Sequence, residues 1–232
     1  ALVALATATA LKGYPALVGM LLLFDRRYLA ALRCALYALA LIFLPFLCFT
    51  GGFGNIPIWL DNIALNSRVY AEGVPTFGLG LFSMPAYAQG DSGTFIAVKG
   101  ALNAANTIVC VAALLSCAFL KKRWKQVLLL VLVVACLPAN SSTYLGLYLF
   151  AGIVLFFDGE HETRDWAYLA CFVVVLNPFQ MIMANGLNLT CCLMGVAADL
   201  MLVMLTAESC VAGARWIIYR ASVKSAFFVN AR

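Results

Sequence analysis

Long apolar runs separated by short polar breaks make up most of the chain, and two of those runs stop short. Pro15–Phe24 lies between Lys12-Gly13-Tyr14 and Asp25-Arg26-Arg27. Val127–Leu137 lies between the basic cluster Lys121–Lys125 and the polar run Pro138–Tyr144. A helix needs about 20 apolar residues to cross the hydrocarbon, and runs of about 10–14 read as re-entrant or buried pieces. Polar turns at that depth need protein or a water-filled cavity to satisfy their backbone. Each short segment therefore predicts a polar tip sunk into a cavity, which is the expected place for function.

The remaining pattern predicts a helical hairpin series. Ala1–Leu11 reads as the end of a helix, Tyr28–Phe49 and Ile96–Leu120 as spans, and Tyr144–Phe157 as a return segment. Trp166–Ala184 and Leu189–Thr206 read as spans joined by the turn Asn185–Asn188. Thr50–Phe95 is the one long polar stretch. Within it, Ile56–Asn66 has apolar residues at helical spacing and predicts a short helix on the membrane surface, with Trp59 at headgroup level. Gly73, Pro75, Gly78, Gly80, Pro85 and Gly90 punctuate the remainder of the stretch. Beyond the paired short segments no internal repeat and no low-complexity tract appears.

Composition fixes the class. Of 232 residues 65% are hydrophobic and only 11% charged, against about 25% charged in a soluble domain; mean hydropathy is +0.98. The expected fold is all-α: a polytopic transmembrane helical bundle, one domain over 1–232, with two short, re-entrant-like helices. Charge placement orients it. With Arg26, Arg27, Arg33, Lys121, Lys122, Arg123, Lys125, Arg164, Arg215, Arg220, Lys224 and Arg232 inside, 12 of the 15 Lys and Arg residues are cytoplasmic. Lys12, Arg68 and Lys99 are the other 3. Both polar tips then point outward, 50–95 is an external loop, and 208–232 is a cytoplasmic tail. Its Trp216, Ile217, Ile218, Tyr219, Phe227 and Phe228 interleave with Arg and Lys, as in a helix lying on an anionic leaflet.

Other classes are excluded on the same grounds. No basic face interleaves with aromatics outside the spans and tail, so nucleic acid is not an expected partner. The nine cysteines contain no CxxC pair, and nearly all sit in apolar runs as small hydrophobes. Neither a disulfide framework nor a metal site is expected. The chain opens at Ala1 inside an apolar run with no basic segment before it, unlike a signal peptide. The expectation is the C-terminal part of a longer protein.

Lys12 is the sharpest candidate for chemistry. A membrane-embedded Lys is expensive and tends to mark function; beside the break at Gly13 and Pro15 it would bind an anionic group such as a lipid phosphate. The competing reading is a Lys that snorkels to the surface. Asn140, Ser141, Ser142 and Tyr144 would suit sugar or phosphate recognition, against ordinary helix capping. Asn140-Ser141-Ser142 and Asn188-Leu189-Thr190 match glycosylation sequons but lie too close to spans to be used. A general base would come from Asp61, Glu72 or Asp91, although an isolated surface acid of this kind is usually just solvated. Arg68 would contact a phosphate or simply the surface. Asn103 and Asn106 read as helix-packing polar groups. His161, beside Glu160 and Glu162, reads as a solvated loop residue.

The segment Ala8–Leu17, with its Lys12-Gly13-Tyr14-Pro15 turn, then an apolar run and Asp25-Arg26-Arg27-Tyr28, resembles glycosyltransferase family 87. The basic turn, second short helix, Ser-containing tip and Tyr144 are similar to that family's C-terminal half, so the resemblance covers about 1–157. It implies a C-type membrane glycosyltransferase of a bacterial plasma membrane and cell envelope. Such an enzyme moves a hexose, mannose among the candidates, from a polyprenyl-phosphate donor to an acceptor on the outer face, with no obligatory metal or other cofactor. Lys12, Tyr14 and Pro15 match the family's turn. The catalytic acid of such enzymes lies in an early external loop that has no counterpart here, so this segment alone is expected to be inactive. Two rivals remain: a transporter or flippase of a lipid-linked or small anionic substrate, since broken helices serve transport too, and a non-catalytic membrane subunit.

Overall fold

A computed structural model describes residues 1–12, 14–73, 93–136, 148–177, 179 and 189–230. Among them all regular structure is helical. The order is α1 (Leu2–Lys12), a 3-10 turn (Tyr14–Gly19), α2 (Met20–Phe24), α3 (Tyr28–Phe43), then 3-10 turns at Leu44–Cys48 and Gly52–Asn55. These are followed by α4 (Ile56–Gly73), α5 (Gly93–Ser116), α6 (Arg123–Cys136), α7 (Leu149–Phe157), α8 (Trp166–Val175) and α9 (Leu189–Asn230). Tyr28–Cys48 and Leu193–Ser222 are long and apolar enough to cross a membrane.

The second short segment, α6, is the centre of the bundle. Its sequence is apolar all round, and such a helix is stable only when buried all round. From Val127 to Cys136 every side chain is buried. α5, α7, α9 and the Tyr14–Gly19 turn pack about it. Small residues allow the closest approaches: a Cβ on Gly152 of α7 would lie 3.0 Å from Leu128 Cδ1 of α6. α1 and α3 pair separately through Ala6, Cys34 and Ala38, small residues of the kind that bring membrane helices together.

One end of the bundle collects the basic turns. Arg123, opening α6, donates to both carboxylate oxygens of Asp25 at 3.0 and 2.9 Å, tying the α2–α3 turn to the α5–α6 turn. The two short segments therefore share a basic end, as the charge pattern predicts. α2 closes with Arg26 N–H donating to Leu23 O and Arg27 N–H to Leu22 O. That closure holds Arg26 at φ +56°, a left-handed conformation that glycine adopts freely and other residues at a cost of about 1–2 kcal/mol. Glycine's own unfolded-state entropy offsets part of that. Arg26→Gly is expected to raise unfolding free energy by about 0.5–1 kcal/mol, read from chemical denaturation in detergent.

Two expectations need correction. The tail is not a separate helix after Thr206: α9 runs unbroken from Leu189 to Asn230, about 63 Å at 1.5 Å per residue. No glycine pair or proline interrupts it, and Gly213 is accommodated because Phe119 packs where its side chain would be. The basic cluster Lys121–Lys125 is not wholly a turn either. The helix starts at Arg123, which carries Lys125 into the interior.

Candidate functional site

Most sequence-predicted site residues lie beyond what the structure describes. Asn140, Ser141, Ser142, Tyr144 and Asp91 are outside the described residues. Lys12 closes α1, Tyr14 opens the 3-10 turn, and Arg68 and Glu72 sit in the last turns of α4, but their side chains are outside the described set. Asp61 is described, and it is exposed on α4. Of the polar pair in α5, Asn106 donates to Cys136 O of α6 at 2.7 Å, which is the helix-packing role expected; the side chain of Asn103 is not among those described.

The structure builds a different polar site, at the basic end. Lys125, on the first turn of α6, is 1% exposed. Its Nζ lies 2.7 Å from Asp165 Oδ1 and donates to Glu208 Oε1 and Oε2 at 2.7 and 2.9 Å. The rings of Trp124 and Tyr168 flank it, with centroids 5.2 and 5.6 Å from Nζ. Asp165, 0% exposed, also accepts from Lys122 Nζ at 2.6 Å and from Glu162 N–H at 2.9 Å. Tyr168 donates to Glu208 at 3.4 Å. Arg164 bridges Glu162 at 2.8 Å and Glu208 at 3.4 Å. Three cations thus meet three carboxylates, which makes burial tolerable. One step along, Ser116 and Ser209 share a 2.6 Å hydrogen bond between α5 and α9. α5, α6, α8 and α9 are locked at this end.

Most of the Asp158–Asp165 segment is exposed, as the residue types predicted; the exceptions are His161 and Gly159, which are half-buried, and Asp165, which is buried. The burial of Asp165 is offset by two lysines, Lys122 just before α6 and Lys125 in its first turn. His161 stacks on Phe156 with ring centroids 4.2 Å apart. The chemistry of the network is structural: each of its three carboxylates faces two cations. Burial pushes the Asp165 carboxyl up, but hydrogen bonds from Lys122, Lys125 and the Glu162 N–H outweigh it and hold it down to about 2. A carboxyl depressed on folding contributes stability above its unfolded value of 3.8, and that stability is lost as pH falls through the folded value. Acid unfolding in detergent is expected to show a loss of roughly 2 kcal/mol between about pH 4 and pH 2, and Asp165→Asn is expected to flatten that part of the profile.

A second polar cluster lies deeper. Asp199 of α9 is 4% exposed and sits nine residues before Glu208, about 14 Å along the helix. It lies near the buried thiols of Cys110 and Cys136. Cys110 also contacts Asn106 Oδ1, at 3.8 Å. Asp199 was missed as a candidate although its signal is plain: it is the one charged residue in Leu189–Thr206, and an ionisable group inside a span is a functional candidate by default. Among the described residues no group of three or more His, Cys, Asp or Glu is placed to hold a metal ion.

No family model, curated protein or solved structure matches this chain. The functional reading rests on the residues themselves.

Proposed function

We propose that the chain is a polytopic membrane bundle with its basic end cytoplasmic, and that it belongs to a hexosyltransferase using a polyprenyl-phosphate-linked sugar on the outer face of a bacterial plasma membrane. The observation that carries this reading is the locked basic end. The network of Lys122, Lys125, Arg164, Glu162, Asp165 and Glu208 ties the starts of α6 and α8 to α9 there, and the Ser116–Ser209 bond adds α5. Substrate entry is then left to the opposite end, the end to which the charge pattern of the sequence assigns the Lys12–Pro15 break and the Asn140–Tyr144 run. One outward cavity is what a lipid-linked donor requires. In this reading Lys12 holds the donor phosphate, and Tyr14, Asn140, Ser141, Ser142, Tyr144 and Arg68 line the donor site. The general base comes from Asp61, Glu72, Asp91 or a part of the parent outside this chain.

The full-length parent in proteoliposomes, given radiolabelled polyprenyl-phosphate hexose, is expected to transfer sugar to an outer-face acceptor. Lys12→Ala is expected to reduce transfer at least tenfold, mostly through the Michaelis constant for the donor. Normal transfer by Lys12→Ala removes the phosphate role.

Asp199 favours a second reading. A buried acid within a long apolar helix, near two buried thiols, is what a proton- or cation-coupled transporter would place along its pathway. The same proteoliposomes separate the readings. Asp199→Asn abolishes coupled uptake in a transporter and leaves sugar transfer intact in the enzyme.

A further inference from the structure

We propose that the α2–α3 turn is a binding site for an anionic phospholipid of the cytoplasmic leaflet. The inference rests on the membrane reading above, and is independent of sugar transfer. A shallow, open groove at this turn is lined by Arg26, Arg27, Tyr28, Leu29, Ala30 and Arg33. Its three guanidiniums make no ion pair among the described residues. The nearby acid, Asp25, does not neutralise them, because both its oxygens are taken by Arg123. The groove is thus a concentrated positive charge with its counter-charge directed elsewhere. Guanidiniums bind phosphate oxygens through paired, parallel N–H donors.

The apolar surface beside the groove selects a lipid over a soluble phosphate. Leu29, Leu32, Leu36 and Leu39 are exposed, and their spacing of three and four residues makes one continuous stripe along α3. Arg33 follows Leu29 by four residues and precedes Leu36 by three, so it stands at the stripe's edge. An occupant of matching shape has a phosphate at the turn and an acyl chain running along α3. A glycerophospholipid with net negative charge has both. A zwitterionic lipid offers the phosphate but brings an ammonium into the same three-arginine field.

The test is native mass spectrometry of the detergent-purified full chain titrated with phosphatidylglycerol or phosphatidylcholine. The wild type is expected to retain one phosphatidylglycerol at least tenfold more strongly than phosphatidylcholine. Arg27→Gln with Arg33→Gln is expected to lose at least tenfold of that retention, Arg27→Lys with Arg33→Lys to lose less, and Arg215→Gln with Arg220→Gln to keep it. Helicity and elution volume check the fold. If the double glutamine variant does not fold, Arg33→Gln alone carries the test, with at least a threefold loss expected. Equal retention of the two lipids, unchanged retention in the groove variants, or equal loss in the α9 variant overturns the site. Displacement of the lipid by equimolar glycerol 3-phosphate overturns the lipid and assigns a soluble phosphate. Release of the native protein from membranes by carbonate washing would instead overturn the membrane reading.

Discussion

Lys125→Ala is expected to destabilise the bundle by about 3–5 kcal/mol, the range for breaking a buried ion pair by removing one partner. The size reflects the groups left behind. Asp165 is fully buried and would keep only Lys122 and the Glu162 N–H. Glu208 would keep only Arg164, at 3.4 Å, and the long hydrogen bond from Tyr168. The Lys125 side chain is 1% exposed, so its removal would leave a void as well. Lys125→Met separates these contributions. It refills the space, so the part of the loss that Met restores belongs to packing and the remainder to the two carboxylates. A triple change, Lys125→Met with Asp165→Leu and Glu208→Gln, removes the stranded charges and is expected to recover most of the stability. Loss of helicity by circular dichroism during denaturation in detergent reads all three. A loss below about 1 kcal/mol for Lys125→Ala would mean that water reaches the network and that the basic end is not sealed.

How much of this was legible depends on which forces a sequence displays. Helix class and the shared basic end of the two short segments were readable, because apolar run length and charge placement are local, additive signals. The Asp25–Arg123 pair is the physical form of that charge count. The interior position of Lys125 was not readable. A Lys next to Lys121, Lys122 and Arg123 looks like part of a solvated turn, and only the folded chain brings Asp165 and Glu208, 40 and 83 residues away, to its ammonium. The continuity of α9 was hidden for a related reason: a change from apolar to basic composition after Thr206 marks where the surroundings change, not where the backbone bonding stops. Asp199 was readable and overlooked. The predicted donor-site residues, Asn140–Tyr144 above all, remain expectations of the sequence. Closure of the basic end is therefore a structural observation, while the named donor-binding residues come from the sequence alone.

Phe156→Ala is expected to cost about 3–5 kcal/mol, while Phe157→Ala, one residue on, is expected to cost about 1 kcal/mol or less, the share of its one edge-on contact with the Phe156 ring at 5.6 Å. The pair is a test of which way α7 faces. Phe156 is 0% exposed and Phe157 is 64% exposed. In a membrane the contrast sharpens, because moving an exposed phenyl from lipid to lipid gains nothing, so only interior packing counts. Phe156 has that packing on every side. Its ring meets Trp124 edge-on at 4.9 Å, His161 face-on at 4.2 Å, and Trp166 and Phe172 at 6.3 and 6.1 Å. Each such aromatic pair adds about 0.5–1.5 kcal/mol beyond area. Removing the ring therefore loosens α7, the 158–165 segment and α8 together, and with them the position of Asp165. Phe156→Ala and Lys125→Ala are accordingly expected to be non-additive, the double variant losing about 1 kcal/mol or more less than the sum of the singles. Additivity would show that the aromatic cluster and the ion network stand independently. Destabilisation by Phe157→Ala equal to that by Phe156→Ala would show that α7 is covered by protein on its outer face as well.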